Sequence, residues 1–414
     1  MKAVLLSIGD EILIGQITNT NSVWLASQLN RIGVHVVEMM TVGDDETAIV
    51  DALKESLSKS EIIIITGGLG PTRDDLTKDV LTHFFHTRLV FNQQVYDLLN
   101  TFFTSRGMSF NEPNKTQCYV PESCKVMMNY KGTAPGMLFH ENHKIVASMP
   151  GVPYEMEAMA EGELFPYLRQ HFQMPPILHR TFLTGGIPES ELMIRLFDWE
   201  NDLPADLKLA YLPSGGQVRL RLTSNNEDGN ALERIENASR YLHLILDNEI
   251  VGYDEDSIAS VVQQLCIQHG KTLVTAESCT GGFIAHQLTM IPGASKYFKG
   301  SIVAYHNTIK ESLLDVPSDI LLEFGAVSEQ TVIQMAVSAR RIMKADYAIA
   351  VSGIAGPEGG SPEKPVGTVW IAWASDEQTV ARKFVWGKNR QATIQRTAQE
   401  ALFRFRRFML GMDL

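Results

Sequence analysis

The sequence predicts an α/β fold: two three-layer α/β/α domains with mostly parallel sheets, joined by a small α+β module. Three observations carry this. Short apolar, β-branched runs alternate with helical patterns over residues 1–173 and again over 253–414, as expected of strand–helix–strand crossovers. Several of those strands run into glycine-rich or acidic turns, the place where open α/β sheets hold ligands. Between the two blocks, Pro175 and Pro176 break the pattern, and residues 174–252 form a shorter unit of mixed elements. At 414 residues the chain is long enough for two or three domains, each with its own core.

In order, residues 3–8 read as a buried strand, 21–32 as a helix capped from 19–21 and stopped by Gly33, 34–42 as a strand and 45–58 as a helix. A third apolar strand, 61–66, enters Gly67-Gly68-Leu69-Gly70-Pro71-Thr72. Beyond it come a helix over 93–106, a polar loop over 111–121, a strand over 144–147, the turn Met149-Pro150-Gly151-Val152-Pro153 and an amphipathic helix over 154–171. The middle block shows strands at 179–183, 208–212 and 218–223, with helices at 189–198 and 229–246. There Arg219 and Arg221 alternate with Val218, Leu220 and Leu222, so they mark the wet face of a half-buried strand. The acidic run Tyr253-Asp254-Glu255-Asp256 opens the last domain. It continues with a helix over 258–269, strands at 271–275, 301–305, 347–352 and 368–374, helices at 283–289 and 328–343, and a final helix with Ile394, Ala398, Leu402, Phe405 and Met409 at helical spacing.

Composition narrows the function. Net charge is -12, which disfavours a non-specific nucleic-acid binder and leaves room for local pockets that take small anions. No apolar run is long enough to cross a bilayer, and the N-terminal segment does not read as a secretory signal, so a cytoplasmic protein is expected. Cys118, Cys124, Cys266 and Cys279 lack paired metal-ligand spacing and read as reduced thiols.

Two places concentrate chemistry. In the first domain, Gly9-Asp10-Glu11, Gly43-Asp44-Asp45 and the glycine loop with Thr72-Arg73-Asp74-Asp75 follow three strands, so their carboxylates converge on one rim. A glycine turn leading into a helix can cradle a phosphate, and facing carboxylates can hold a hard cation against it. For each acid alone, helix capping is the simpler reading. In the last domain, Thr275-Ala276-Glu277-Ser278-Cys279-Thr280-Gly281-Gly282 lies between a strand and a helix, and Gly353-Ile354-Ala355-Gly356-Pro357-Glu358-Gly359-Gly360 follows another strand. Two such loops on one sheet frame a cleft. The first is either a Ser/Thr-rich cap with a tight turn or a nucleophile set among backbone donors.

Gly67-Gly68-Leu69-Gly70-Pro71-Thr72-Arg73-Asp74-Asp75, Met149-Pro150-Gly151-Val152-Pro153, Ala276-Glu277-Ser278-Cys279-Thr280-Gly281-Gly282 and Ser352-Gly353-Ile354-Ala355-Gly356-Pro357 together resemble the CinA (competence/damage-inducible protein A) family along the whole chain. The resemblance implies a MoaB/MogA-like domain over 1–173, associated with ADP-ribose pyrophosphatase activity, a middle module over 174–252 and a nicotinamide mononucleotide deamidase domain over 253–414. It also implies a homodimer.

Under that resemblance Ser278 is the nucleophile, with Tyr305 and Lys310 as its catalytic partners in a Ser–Lys arrangement. His306 and Cys279 are the competing base and nucleophile. Thr280, Gly281, Gly282, Ser295, Asn307, Gly353, Ala355, Gly356 and Arg390 are expected to contact nicotinamide mononucleotide, the arginine through its phosphate. In the first domain, Gly67, Gly68, Gly70 and Thr72 would cradle the diphosphate of ADP-ribose. Asp44, Asp74 and Asp75 would hold Mg²⁺, Mn²⁺ or Co²⁺, with K⁺ as a further ion. No cofactor is expected in the last domain, and no nucleic acid or membrane partner. The opposing reading is an adaptor in competence or DNA damage, without catalysis, whose first domain binds a molybdopterin-like ligand.

Overall fold

A computed structural model describes residues 1–72, 74–172, 178–224 and 230–414, and the chain divides into two units, Met1–Leu178 and His179–Leu414. The first unit is built on β1 (Lys2–Ile8), β2 (His35–Val42) and β3 (Ile62–Thr66), followed by a two-stranded ribbon, β4 (Leu89–Phe91) and β5 (Tyr119–Pro121). The strands β6 (Lys125–Met127), β7 (Gly136–Glu141) and β8 (Lys144–Met149) complete a six-stranded sheet of order β2-β1-β3-β8-β7-β6. Its core is parallel, and β7 and β6 add an antiparallel edge.

A parallel strand covered on both faces has no wet side, which is why 62–65 is four isoleucines, all fully buried. Ile62 and Ile64 pack into one core with Ala3, Leu5, Leu25 and Met156. Ile63 and Ile65 pack into the other with Leu6, Ile8, Leu53 and Val80. The expected three layers are therefore present.

The helices begin where the sequence places caps. Asn19 accepts from the Ser22 amide at the head of Thr20–Arg31, and Asp45 from the Ala48 amide at the head of Glu46–Lys59. The polar loop expected over 111–121 is instead a short helix, Glu112–Lys115, a 3₁₀ turn, Thr116–Cys118, and β5, because Asn111 caps the helix and Val120 is buried. The helix expected over 154–171 is interrupted by a π turn, Ala160–Leu164, just before Pro166, whose ring removes one backbone donor. The antiparallel strands β6 and β7 were not foreseen. The break at Pro175 and Pro176 lies outside the described residues, but the division at Leu178 falls close to the expected boundary.

The second unit holds two sheets. The smaller has the order β10-β11-β9-β12, from β9 (Leu178–Thr184), β10 (Leu207–Ser214), β11 (Gln217–Ser224) and β12 (Ile250–Tyr253). Arg219 and Arg221 alternate with buried residues as expected. Tyr253 ends β12 and so belongs to this sheet rather than opening the last domain.

The larger sheet has the order β14-β13-β15-β16-β17, from β13 (Leu273–Glu277), β14 (Phe298–Val303), β15 (Tyr347–Gly353), β16 (Thr368–Ala374) and β17 (Thr379–Val385). β13, β14 and β15 are parallel, whereas β16 and β17 are antiparallel, a reversal the sequence pattern did not reveal. One face carries Ile349, Val351, Ile371 and Trp373, against the final helix Arg390–Met409. The other carries Ala348, Ala350, Ala372 and Ala374, against Ala336 and Ala339 of the helix Glu329–Ile342. All four cysteines are free, and among the described residues no helix is long and apolar enough to cross a membrane.

The alanine face leaves no room between sheet and helix. Ala350→Leu should therefore lower unfolding stability by about 1–3 kcal/mol through overpacking, read as a reduced urea midpoint with an unchanged slope.

Candidate functional site

The parallel strands of the larger sheet end together, and the chain leaving each one brings a functional group to that rim. After β13 comes Ser278, whose amide donates to Val351 O of β15 at 3.0 Å. After β14 come Ala304 and Tyr305 and then the helix Asn307–Leu314, which presents Lys310. After β15 comes the loop with Gly356.

Lys310 is 1% exposed, and its Nζ lies 3.2 Å from Ser278 Oγ, 2.8 Å from Ala304 O and 3.2 Å from Tyr305 O. Burial holds its pKa below the ordinary 10.5. The opposing influence is a charge on Cys279, but burial pushes that thiol up to about 12, so no thiolate is there near neutral pH to restore the lysine. A neutral amine has two N–H groups and one lone pair. In that neutral form the two carbonyl oxygens take the N–H groups and the lone pair is left to face the Ser278 hydroxyl, whereas the protonated amine donates to Ser278 Oγ.

The other expected residues sort clearly. Tyr305 is 58% exposed, and its hydroxyl accepts from Arg390 Nη2 at 2.9 Å, while Arg390 Nη1 donates to Gly356 O at 3.0 Å. These three therefore form a cationic corner at the rim. Gly353 is required by close approach, since a Cβ there would meet Cys279 Sγ at 3.0 Å and Val369 Cγ2 at 2.7 Å. Ala355 is buried in the core, and Asn307 stands exposed at the head of its helix. His306 accepts from the Thr308 amide as an N-cap, which occupies it away from Ser278. Ser295 does not join the site. It precedes β14, at the opposite end of a six-residue strand, about 20 Å away.

The turn is not the open set of donors that its glycines suggested. Glu277, fully buried, accepts from Gly282 N at 3.0 Å, Ile284 N at 3.0 Å, Ala285 N at 2.8 Å and Thr280 Oγ1 at 2.7 Å. Gly281 N donates to Ser278 O at 3.0 Å. The amides of Gly281 and Gly282 are thus spent inside the protein. The Thr280 amide has no acceptor among the described residues. Sequence reasoning quoted Glu277 without a role, although an acid placed just before a helix start is the usual complement of that end of the helix dipole.

The first unit shows a second rim. A cavity of about 560 Å³ opens at the ends of β1, β3 and β8, lined by Gly67, Gly68, Gly70, Asp44, Asp74 and Asp75 among others. The loop lies flush on the sheet, because a Cβ on Gly67 would sit 2.2 Å from Ile8 O, and the Gly67 amide is already bonded to Met149 O. Asp44 has its pKa raised, first by burial and then by the nearby charges of Asp10, Glu11 and Asp74. Thr72 does not line the cavity. Its amide and hydroxyl instead donate to one oxygen of Asp75. Among the described residues no three His, Cys, Asp or Glu side chains converge as a metal cage. The residues that gather negative charge are Asp44, Asp10, Glu11 and Asp74, while Asp75 serves the loop.

Fold and sites define a multidomain α/β chain that joins a molybdopterin-binding type of domain to a second α/β domain through a small module. Family models place it: residues 4–170 match a probable molybdopterin binding domain, 179–252 the damage-inducible protein CinA KH domain and 255–409 the CinA C-terminal domain. A CinA-like protein of Cytophaga hutchinsonii is 43% identical over 98% of this chain and 97% of its own length, and one of Flavobacterium psychrophilum is 42% identical over 97% of each. A solved competence/damage inducible protein of Agrobacterium tumefaciens shows 38% identity, covering 36% of this chain and 93% of its own, with a TM-score of 0.34. The chain belongs to the CinA family.

Because Glu277 meets several donors at once, Glu277→Gln turns one acceptor into a donor facing other donors. It should cost roughly 3 kcal/mol of stability, measurable by urea unfolding.

Proposed function

We propose that the last domain is an amidohydrolase that deamidates nicotinamide mononucleotide, with Ser278 as nucleophile and Lys310 as base. The observation that carries the reading is the buried Lys310 Nζ within 3.2 Å of Ser278 Oγ, with both of its N–H groups engaged by carbonyl oxygens. In the forward step Ser278 Oγ attacks the carboxamide carbon while its proton passes to Lys310. The resulting oxyanion meets the Thr280 amide. Collapse breaks the C–N bond, with Lys310 returning the proton to the departing ammonia. Water then attacks the acyl-serine, again giving its proton to Lys310; collapse breaks the acyl C–Oγ bond, Lys310 returns that proton to Ser278 Oγ, and nicotinate mononucleotide leaves with serine and neutral lysine restored. Arg390, held between Gly356 O and Tyr305 OH, supplies the positive charge for the 5'-phosphate.

Ser278→Ala should reduce ammonia release from nicotinamide mononucleotide by about 10³-fold or more, with circular dichroism unchanged. Wild-type activity that persists in this variant would refute the assignment. Because the active form of Lys310 is neutral, kcat/KM should rise with pH along a limb whose midpoint lies below 10.5. A profile that is flat from about pH 6 to 9 would contradict lysine as the base.

A second activity is proposed for the first domain: hydrolysis of ADP-ribose to AMP and ribose 5-phosphate with a divalent cation. The like charges that raise Asp44 are the observation in its favour, since a bound cation would relieve them. Since no three carboxylates converge among the described residues, Asp44 with one neighbour such as Asp74 would hold the ion jointly with the diphosphate of the substrate, and the ion would supply charge neutralisation and an activated water. Asp44→Asn should lower Mn²⁺-dependent AMP release about 10²-fold or more, whereas Asp75→Asn should act mainly through stability.

A further inference from the structure

The middle block takes no part in either candidate site, yet it helps enclose a space of its own. Within the second unit, the turn Gly185-Gly186 after β9 and the β10–β11 hairpin tip at Gly215-Gly216 face the final helix and the end of β17. The cavity between them is about 360 Å³, in the ordinary range of about 300–1,000 Å³ for small-molecule sites. Its floor is the ring of Phe403, and a Cβ on Gly185 or Gly186 would sit 2.5 or 2.6 Å from that ring, so only glycine lets the turn lie flat on it. One wall is aromatic: Phe384 and Trp386 are stacked with their centroids 5.0 Å apart.

The polar atoms of this cavity are unspent. Trp386 Nε1, Gln217 Nε2 and Gln399 Oε1 are buried without a hydrogen-bond partner among the described residues, and all three residues line the space. A buried donor or acceptor left unpaired costs about 1–3 kcal/mol, a cost that a hydrogen-bonding ligand reaching these side chains would offset. Arg396 also lines it, with its stem 3.3 Å from where a Gly216 Cβ would lie. Among the described residues Arg396 has no acidic partner, whereas its neighbour Arg404 is paired with Glu400 at 2.5 Å. The lining therefore offers an aromatic wall whose Phe384 ring has the Arg404 guanidinium 5.2 Å from its centroid, the side chains of Gln217 and Gln399, the Arg404–Glu400 pair and the guanidinium of Arg396.

We propose that this cavity is a binding site for a small aromatic anion of the nucleoside monophosphate class, with the heterocycle against Trp386 and Phe384 and the phosphate on Arg396. The proposal does not rest on either activity above, because its residues belong to neither site. Adenosine monophosphate added to the full-length chain should quench the part of the tryptophan emission that Trp386→Phe abolishes, saturably and with half-saturation below about 1 mM. Arg396→Glu should weaken this at least about tenfold. Gln399→Leu, which leaves the charge alone, should also weaken it and keeps the test open if the charge reversal disturbs folding. Adenosine alone and orthophosphate alone should each fall well short of the nucleotide. The proposal is overturned if no Trp386-dependent quench appears, if Arg396→Glu and Gln399→Leu both bind like wild type, or if orthophosphate alone gives the full effect.

Discussion

The candidate site of the second unit depends on one constraint: a lysine amine buried without a counter-charge among the described residues. Lys310 has carbonyl oxygens of Ala304 and Tyr305 for partners and, among the described residues, no carboxylate. A carboxylate in their place would hold the amine protonated and disable it as a base. Carbonyls satisfy two N–H groups without supplying a charge, so desolvation decides the protonation state. The sheet makes this possible. β13 and β14 are parallel neighbours, so the residues that follow them emerge side by side, and one turn of helix after Asn307 carries Lys310 back over Ser278.

Glu277 settles a related problem. A helix starting beside the nucleophile offers amides and a positive dipole end to any anion, and a phosphate bound there would block the carboxamide. The buried Glu277 carboxylate occupies that end itself. In the proposed reading, phosphate binding would then fall to Arg390, which is held by Gly356 O and Tyr305 OH rather than at the Ser278 turn. The first unit treats its own rim differently. There Asp10, Glu11 and Asp74 bring negative charge near Asp44.

Much of the fold was legible because parallel strands leave continuous apolar runs: 62–65 and 347–352 could hardly be anything else. The caps Asn19 and Asp45 were equally legible, as Asn and Asp at a helix start, and each accepts the amide three residues on; Ser328, read as the first helical residue, is likewise a cap. The antiparallel edges β6, β7 and β17 were not, because short half-exposed strands carry little periodicity. In the site, Ser278, Lys310 and Arg390 were named from motifs. The roles of Glu277 and of the Ala304 and Tyr305 carbonyls depend on tertiary distances that no spacing encodes. Ser295 marks the opposite failure, because a residue close in sequence to the site is placed by a parallel strand at the other end of the sheet.

The central claim is that burial without a counter-charge lowers the Lys310 pKa and so makes the amine available as a base. The direct measurement is an NMR titration of the Lys310 side-chain Nζ and Cε resonances in the full-length chain, assigned by comparison with Lys310→Met. The account predicts a single transition clearly below 10.5 that no other lysine shares. A Lys310 that titrates at 10.5 or above would contradict it.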